Sequence, residues 1–65
     1  MSADESLAKA EGLLARLEAA KTRLEATDDP DQAIEVLQEL AELAREIDAE
    51  LQRAKRAVEA DAADA

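Results

Sequence analysis

The segment Thr27-Asp28-Asp29-Pro30-Asp31, near the middle of a chain of 65 residues, determines how many helices the chain forms. Pro30 has no amide hydrogen to donate and disfavours helical geometry at Asp29, so a helix arriving from the N-terminal side must end before it. The same residues suit the start of a new helix, with Asp29 as N-cap and Pro30 at the first helical position. The stretch therefore predicts two helices joined by a connection short enough to enforce an antiparallel hairpin.

Both predicted helices begin with a capping signal. Ser2 followed by Glu5, and Asp29 followed by Gln32, each fit a capping box, in which the capping side chain and the third helical residue exchange hydrogen bonds with each other's amides. The alternating acidic and alanine residues at the C-terminus predict a frayed end. We expect five segments: a cap region at 1–2, a helix over 3–26, a turn at 27–29, a helix over 30–60 and a frayed acidic tail at 61–65.

Apolar residues recur at alternating steps of three and four along both helices, which is typical of helices that bury one face. Folding the chain back about Asp28-Asp29 places Leu14 opposite Ala44 and Ala10 opposite Ile47, so that large residues meet small ones. Lys21 interrupts the seam of the first helix, and its aliphatic stem can lie along it. The predicted hairpin core consists of Leu7, Ala10, Leu14, Leu24, Ile34, Leu37, Ala44 and Leu51.

More apolar residues flank this seam than one partner helix can bury. We therefore predict an all-α fold, an antiparallel two-helix hairpin that assembles into a helical bundle or coiled coil with copies of itself or with another protein. The alternative is that the flanking residues stay partly exposed, as scattered aliphatic side chains often do. The predicted partner interface consists of Leu13, Leu17, Val36, Leu40, Leu43 and Ile47.

Composition excludes several classes of function. The chain has no Cys, His or aromatic residue, so thiolate or imidazole metal sites, Cys–His or Ser–His dyads and base-stacking platforms are ruled out. A formal charge of −9 disfavours direct binding to nucleic acid or to an anionic membrane. The sequence shows neither a signal peptide nor an apolar stretch long enough to span a bilayer, so a cytoplasmic location is expected.

Two charged clusters are candidate sites. A row of carboxylates at Glu35, Glu39, Glu42 and Glu46 lies on one side of the second helix, but a helical dimetal site needs carboxylates facing a bundle core, usually with histidine. The basic residues Arg53, Lys55 and Arg56 suit the C-terminal end of a helix. We interpret the row as solvated surface, which serves either solubility or the docking of a basic partner, and the basic cluster as charge complementation at the helix end. We predict no catalytic, cofactor-binding or metal-binding residue and no cofactor.

The stretch from Leu14 to Val58 resembles the small subunit of bacterial exonuclease VII, a family of short acidic helical hairpins. The similar features are Leu14-Ala15-Arg16-Leu17, Thr22-Arg23-Leu24-Glu25, Gln32-Ala33-Ile34 after an acidic turn, and an apolar series Leu37, Leu40, Leu43, Ala44, Ile47, Leu51, Ala54 and Val58. The departures are a leucine at position 37 where the family has an aromatic residue, a leucine at 40 where it has glycine, and a turn without glycine.

The resemblance implies a non-catalytic subunit that binds long helices of a large catalytic subunit in several copies. The assembled enzyme would degrade single-stranded DNA, with its catalytic residues on the large subunit. The alternative from the residues themselves is a free-standing structural module, a homodimeric four-helix bundle with no enzyme attached.

Overall fold

The computed structural model describes the backbone of residues 2–64 and the side chains of residues 2–62. The protein is an all-α antiparallel hairpin of two helices, α1 (Ala3–Glu25) and α2 (Pro30–Asp64). Their lengths are 23 and 35 residues, so α2 extends beyond α1 at the open end of the hairpin. The described chain is a rod of 54 × 14 × 13 Å, as expected for two helices lying side by side.

Both predicted N-caps are present, but each forms only one of the two hydrogen bonds of a capping box. Ser2 Oγ accepts a hydrogen bond from the Glu5 amide at 3.1 Å, and Asp29 Oδ1 accepts one from the Asp31 amide at 3.0 Å. Within the described residues neither Glu5 nor Gln32 returns a side-chain hydrogen bond to the capping residue. Both are therefore simple N-caps rather than the predicted capping boxes.

The turn is built without glycine because it does not require left-handed backbone. No described residue has a positive φ. Ala26 closes α1, with its amide donating to the carbonyls of Thr22 and Arg23, and the Thr27 side chain donates to the Arg23 carbonyl at 2.6 Å. These bonds satisfy carbonyls that a helix end leaves without partners.

A heptad seam joins the two helices. In α1 the residues turned toward α2 fall at steps of three and four, and so do those of α2 that face back. Ala20, Val36 and Leu43 form the buried centre, with Leu13, Leu17, Leu24 and Leu40 packed against it. The seam residues are Ala3, Ser6, Ala10, Leu13, Leu17, Ala20 and Leu24 in α1, Thr27 in the turn, and Ala33, Val36, Leu40, Leu43, Ile47, Glu50, Ala54 and Ala57 in α2.

This seam differs from the predicted hairpin core. Ala10 is buried and Leu24 is half-buried, as a core position requires. The other six predicted core residues are exposed, the large ones by 44% to 55%: Leu7, Leu14, Ile34, Leu37, Ala44 and Leu51. The physical reason is that a seam through Leu7 and Leu14 would also bury Lys21, whereas the seam used by α1 contains no charge.

The C-terminal boundary is also corrected. The sequence predicted the end of the second helix at residue 60 and a frayed tail over 61–65, but α2 continues to Asp64. Alanine has the highest helix propensity, and the alternation of alanine with aspartate contains no helix-breaking glycine or proline. Ala65 lies outside the described residues.

Candidate interaction surface

One side of the hairpin carries an exposed apolar surface that follows the heptad. On α2, residues 37, 44, 51 and 58 come directly after seam positions and lie seven residues apart; on α1, residues 7 and 14 do the same. All of them are exposed. We name this surface the apolar flank, and define it as Leu7, Leu14, Leu37, Ala44, Leu51 and Val58.

The apolar flank is widest near the open end. There Leu7 and Leu14 of α1 and Leu51 of α2 line a groove of about 270 Å³, whose floor includes Ala10 and Ile47. Leu7, Leu14 and Leu51 are 44%, 46% and 46% exposed. Aliphatic side chains from two helices therefore converge on a single depression, which is the shape that receives a third helix in a bundle.

The predicted partner interface lies elsewhere. Its six residues are buried or half-buried inside the hairpin, packed between α1 and α2: Leu13, Leu17, Val36, Leu40, Leu43 and Ile47. The two predicted sets have thus largely exchanged places, because most of the residues expected in the core form the exposed surface. The signal that could have found this arrangement is the uncharged series from Ala3 to Leu24, which offers α1 a seam without Lys21.

The opposite side of the hairpin is charged. Lys9, Arg16 and Arg23 lie seven residues apart on α1, and across from them α2 presents Glu39, Glu46 and Arg53. Among these residues Arg23 pairs with Glu39 across the two helices. We name this surface the charged flank, defined by these six residues. One complementary pair is therefore satisfied within the hairpin on this side, whereas the apolar flank has exposed aliphatic residues.

A carboxylate occupies one seam position of α2. Glu50 is only 7% exposed, and its Oε1 accepts a hydrogen bond from Arg53 one turn later. Within the described residues its Oε2 is buried and has no hydrogen-bond partner. Such a group stabilises less than a leucine would at the same position, although a polar residue in a coiled-coil seam can fix the register.

The remaining charged candidates lie on the surface. Glu35, Glu42 and Glu46 are exposed and Glu39 is half-buried, consistent with the solvated row expected from the sequence. Of the basic cluster, Arg53 pairs with Glu50, and Lys55 lies 3.9 Å from Glu59. In the part of the chain that the structure describes, no group of three or more acidic side chains could hold a metal ion. Neither described helix has an apolar stretch sufficient to cross a bilayer.

Comparison with known proteins identifies no relative of this chain. No family model, curated protein or solved structure matches the chain. The two flanks of the hairpin are therefore the features that bear on its function.

Proposed function

We propose that this hairpin is a non-catalytic subunit that works by binding a larger protein through the apolar flank. The observation that carries the proposal is the convergence of Leu7, Leu14 and Leu51 on an exposed groove at heptad spacing. Contiguous exposed aliphatic residues of this kind mark protein interaction sites rather than ordinary surface. The apolar flank replaces the interface that the sequence predicted, and the proposed mode of action is unchanged.

Burial of the apolar flank provides a driving force for binding. Five of the six residues of the apolar flank are large aliphatics that are roughly half exposed. Burying the remaining half of each contributes on the order of 1 kcal/mol, and so about 5 kcal/mol together. The hairpin itself is thin, because several of its buried seam residues are alanine or serine. A partner helix in the groove would therefore add a substantial fraction of the total stability.

The specific form of the proposal is the small subunit of an exonuclease VII-like complex that degrades single-stranded DNA. It is supported by the resemblance from Leu14 to Val58, by the short acidic helical-hairpin architecture and by the absence of His and Cys from the sequence. In this form the partner is a long helix of the large catalytic subunit. The catalytic residues would belong to that subunit.

Copurification with a matched pair of variants tests the proposal. Leu51→Arg places a charge in the apolar flank, whereas Gln52→Arg adds the same charge to the neighbouring, exposed residue on another side of α2. The tagged chain is expressed in its native host, and the proteins that copurify are identified by mass spectrometry and assayed for exonuclease activity on single-stranded DNA. Circular dichroism confirms that both variants remain helical.

The expected result is a large subunit with exonuclease activity, bound by the wild type and by Gln52→Arg and lost with Leu51→Arg. A stoichiometric large partner without nuclease activity would reject the exonuclease form and support the interaction module. A monomer that copurifies with nothing, or binding that Leu51→Arg leaves intact, would reject the proposed use of the apolar flank. Self-association alone would support the homodimeric bundle instead.

A further inference from the structure

A row of carboxylates borders the apolar flank along α1. The four residues of this row, Asp4, Glu11, Glu18 and Glu25, lie seven residues apart and are all exposed. On the surface of α1 they lie next to the apolar flank, on the side away from the seam. Glu11 also lines the groove with Leu7 and Leu14. None of the four forms an ion pair within the described residues. We name these residues the acidic row.

A second copy of the chain does not supply the charges that this row needs. In a dimer packed through the apolar flank, the acidic row of one chain would face one of two surfaces of the other chain. These are the other chain's acidic row and the row of α2 residues that borders its apolar flank. The α2 row consists of Ile34, Ala41, Asp48 and Lys55, and so offers one cation. Each copy also has Lys21 beside its acidic row. The first arrangement then sets four carboxylates and one cation against the same set, and the second offers Lys21 and Lys55 to four carboxylates, so both leave carboxylates in excess.

Three of the four basic residues of α1 lie away from the acidic row. Lys9, Arg16 and Arg23 belong to the charged flank, on the other side of the hairpin, and Arg23 already pairs with Glu39. The fourth basic residue of α1, Lys21, continues the heptad of Leu7 and Leu14 and lies nearer the turn, outside the groove. The one charged side chain that lines the groove is Glu11. An occupant of the groove therefore meets a border with excess negative charge.

We infer that the occupant of the apolar flank is a single amphipathic helix that carries Lys or Arg at heptad spacing along one margin of its own apolar stripe. This inference rests on the proposed function, and it adds the chemistry and orientation of the partner. The leucines of that helix fill the groove between Leu14 and Leu51, and its cations lie along Glu11 and Glu18. Exposed charges of this kind contribute to partner choice and register more than to affinity.

Three designed peptides test the inference with the full chain. Each is an amphipathic helix of about three heptads with the same leucine seam, and they differ only in one flanking row, which is Lys, Gln or Glu. Binding to fluorescently labelled peptide is followed by anisotropy at low and high salt. The variant pair is Glu11→Gln/Glu18→Gln in the acidic row and Glu35→Gln/Glu42→Gln on the other side of the hairpin, which removes the same charge.

The Lys peptide is expected to bind about tenfold more tightly than the Gln peptide, the ratio given by about three exposed ion pairs of ordinary strength, one per heptad. The Glu peptide should bind more weakly than either. The preference should shrink at about 1 M salt because exposed pairs are screened. It should also fall to about twofold in Glu11→Gln/Glu18→Gln, which leaves about one pair, and persist in Glu35→Gln/Glu42→Gln.

Equal binding of the three peptides would overturn the inference and leave the proposed function standing, because Leu51→Arg tests that function separately. Failure of the Lys peptide to bind would also overturn it. So would a stable dimer in sedimentation velocity that Leu51→Arg dissociates, since a second copy would then be the occupant. Retention of the preference by Glu11→Gln/Glu18→Gln would show that the acidic row does not select the partner.

Discussion

The two ends of the hairpin are packed differently. The turn half, residues 13–24 with 36–47, buries leucine and valine around Ala20, and the capped turn at Asp29 closes it. The open half, residues 3–10 with 50–57, buries Ser6, Ala10, Ala54 and the carboxylate of Glu50. One end therefore has an aliphatic core, and the other has small residues and a charge.

The difference indicates how stability and binding are divided. Branched aliphatic residues contribute about 1.5–3 kcal/mol each when fully buried, whereas alanine and serine contribute little. The turn half is therefore expected to hold the hairpin together. In the open half, the aliphatic residues Leu7 and Leu51 lie on the apolar flank, where an intermolecular partner can cover them. The groove is placed at the end that gains most from being bound.

The largest effect is expected from Leu43→Ala in the turn half. Leu43 is 2% exposed and packs in the central cluster with Ala20 and Val36, so its truncation leaves a cavity. We expect a loss of about 2–5 kcal/mol, which is comparable to the whole stability of a domain this small. Circular dichroism should show a largely unfolded chain at 25 °C, or a much lower melting temperature.

Leu51→Ala is the matched control, because it makes the same chemical change at a residue that is 46% exposed. It should lower stability by less than about 1 kcal/mol. If both variants lost equal stability, the assignment of the seam would be incorrect. The contrast thus decides directly between the observed seam and the one that the sequence favoured.

The sequence predicted the helices and the turn more accurately than the face each helix buries. Pro30, with the caps at Ser2 and Asp29, is a local signal that depends on neighbouring backbone atoms. The choice of seam is not local, because α2 is apolar at both Val36 and Leu37 and could turn either toward α1. Each helix has one seam without a charge, and the hairpin pairs the uncharged seam of α1 with the seam of α2 that contains Glu50.

A smaller effect of opposite sign is expected from Glu50→Leu in the open half. The substitution removes a buried carboxylate whose Oε2 has no hydrogen-bond partner within the described residues, and it places an aliphatic side chain of similar size in the seam. Replacing buried ionic groups by apolar ones is often neutral or stabilising by about 1–4 kcal/mol. We expect about 1–2 kcal/mol here, since Arg53 already satisfies the other oxygen.

Glu46→Leu is the control for the carboxylate, because Glu46 is exposed on the charged flank one turn earlier. Glu46→Leu should change the free energy of unfolding, measured by urea denaturation, by no more than about 0.5 kcal/mol. Destabilisation by Glu50→Leu would show that the carboxylate is required in the seam, and that the open half is not the weaker end.

Next in size is a pair of substitutions at equivalent heptad positions. Gly12 and Ala19 are both exposed and lie seven residues apart on the same side of α1, and a Cβ added at Gly12 meets nothing within 4 Å. Gly12→Ala should stabilise the hairpin by up to about 1 kcal/mol, and Ala19→Gly should destabilise it by a similar amount. Thermal melts followed by circular dichroism measure both changes.

The stability changes of Gly12→Ala and Ala19→Gly also show whether the two ends of the hairpin unfold together. In an all-or-none transition the changes are equal and opposite. If the open end unfolds before the turn half, Gly12→Ala moves the midpoint less than Ala19→Gly does, because Gly12 lies nearer the open end. A Gly12→Ala variant less stable than the wild type would mean that another backbone approaches this position in solution.

The smallest expected effect concerns the charged flank. Arg23 and Glu39 form an ion pair across the helices, but their side chains are 58% and 38% exposed. A double-mutant cycle of Arg23→Gln and Glu39→Gln should give a coupling free energy of about 0.2–1 kcal/mol, diminishing with added salt. If the coupling were above about 2 kcal/mol and independent of salt, the pair would be desolvated. The charged flank would then be a covered surface, and the division of the hairpin into an apolar side that binds and a charged side that faces water would no longer hold.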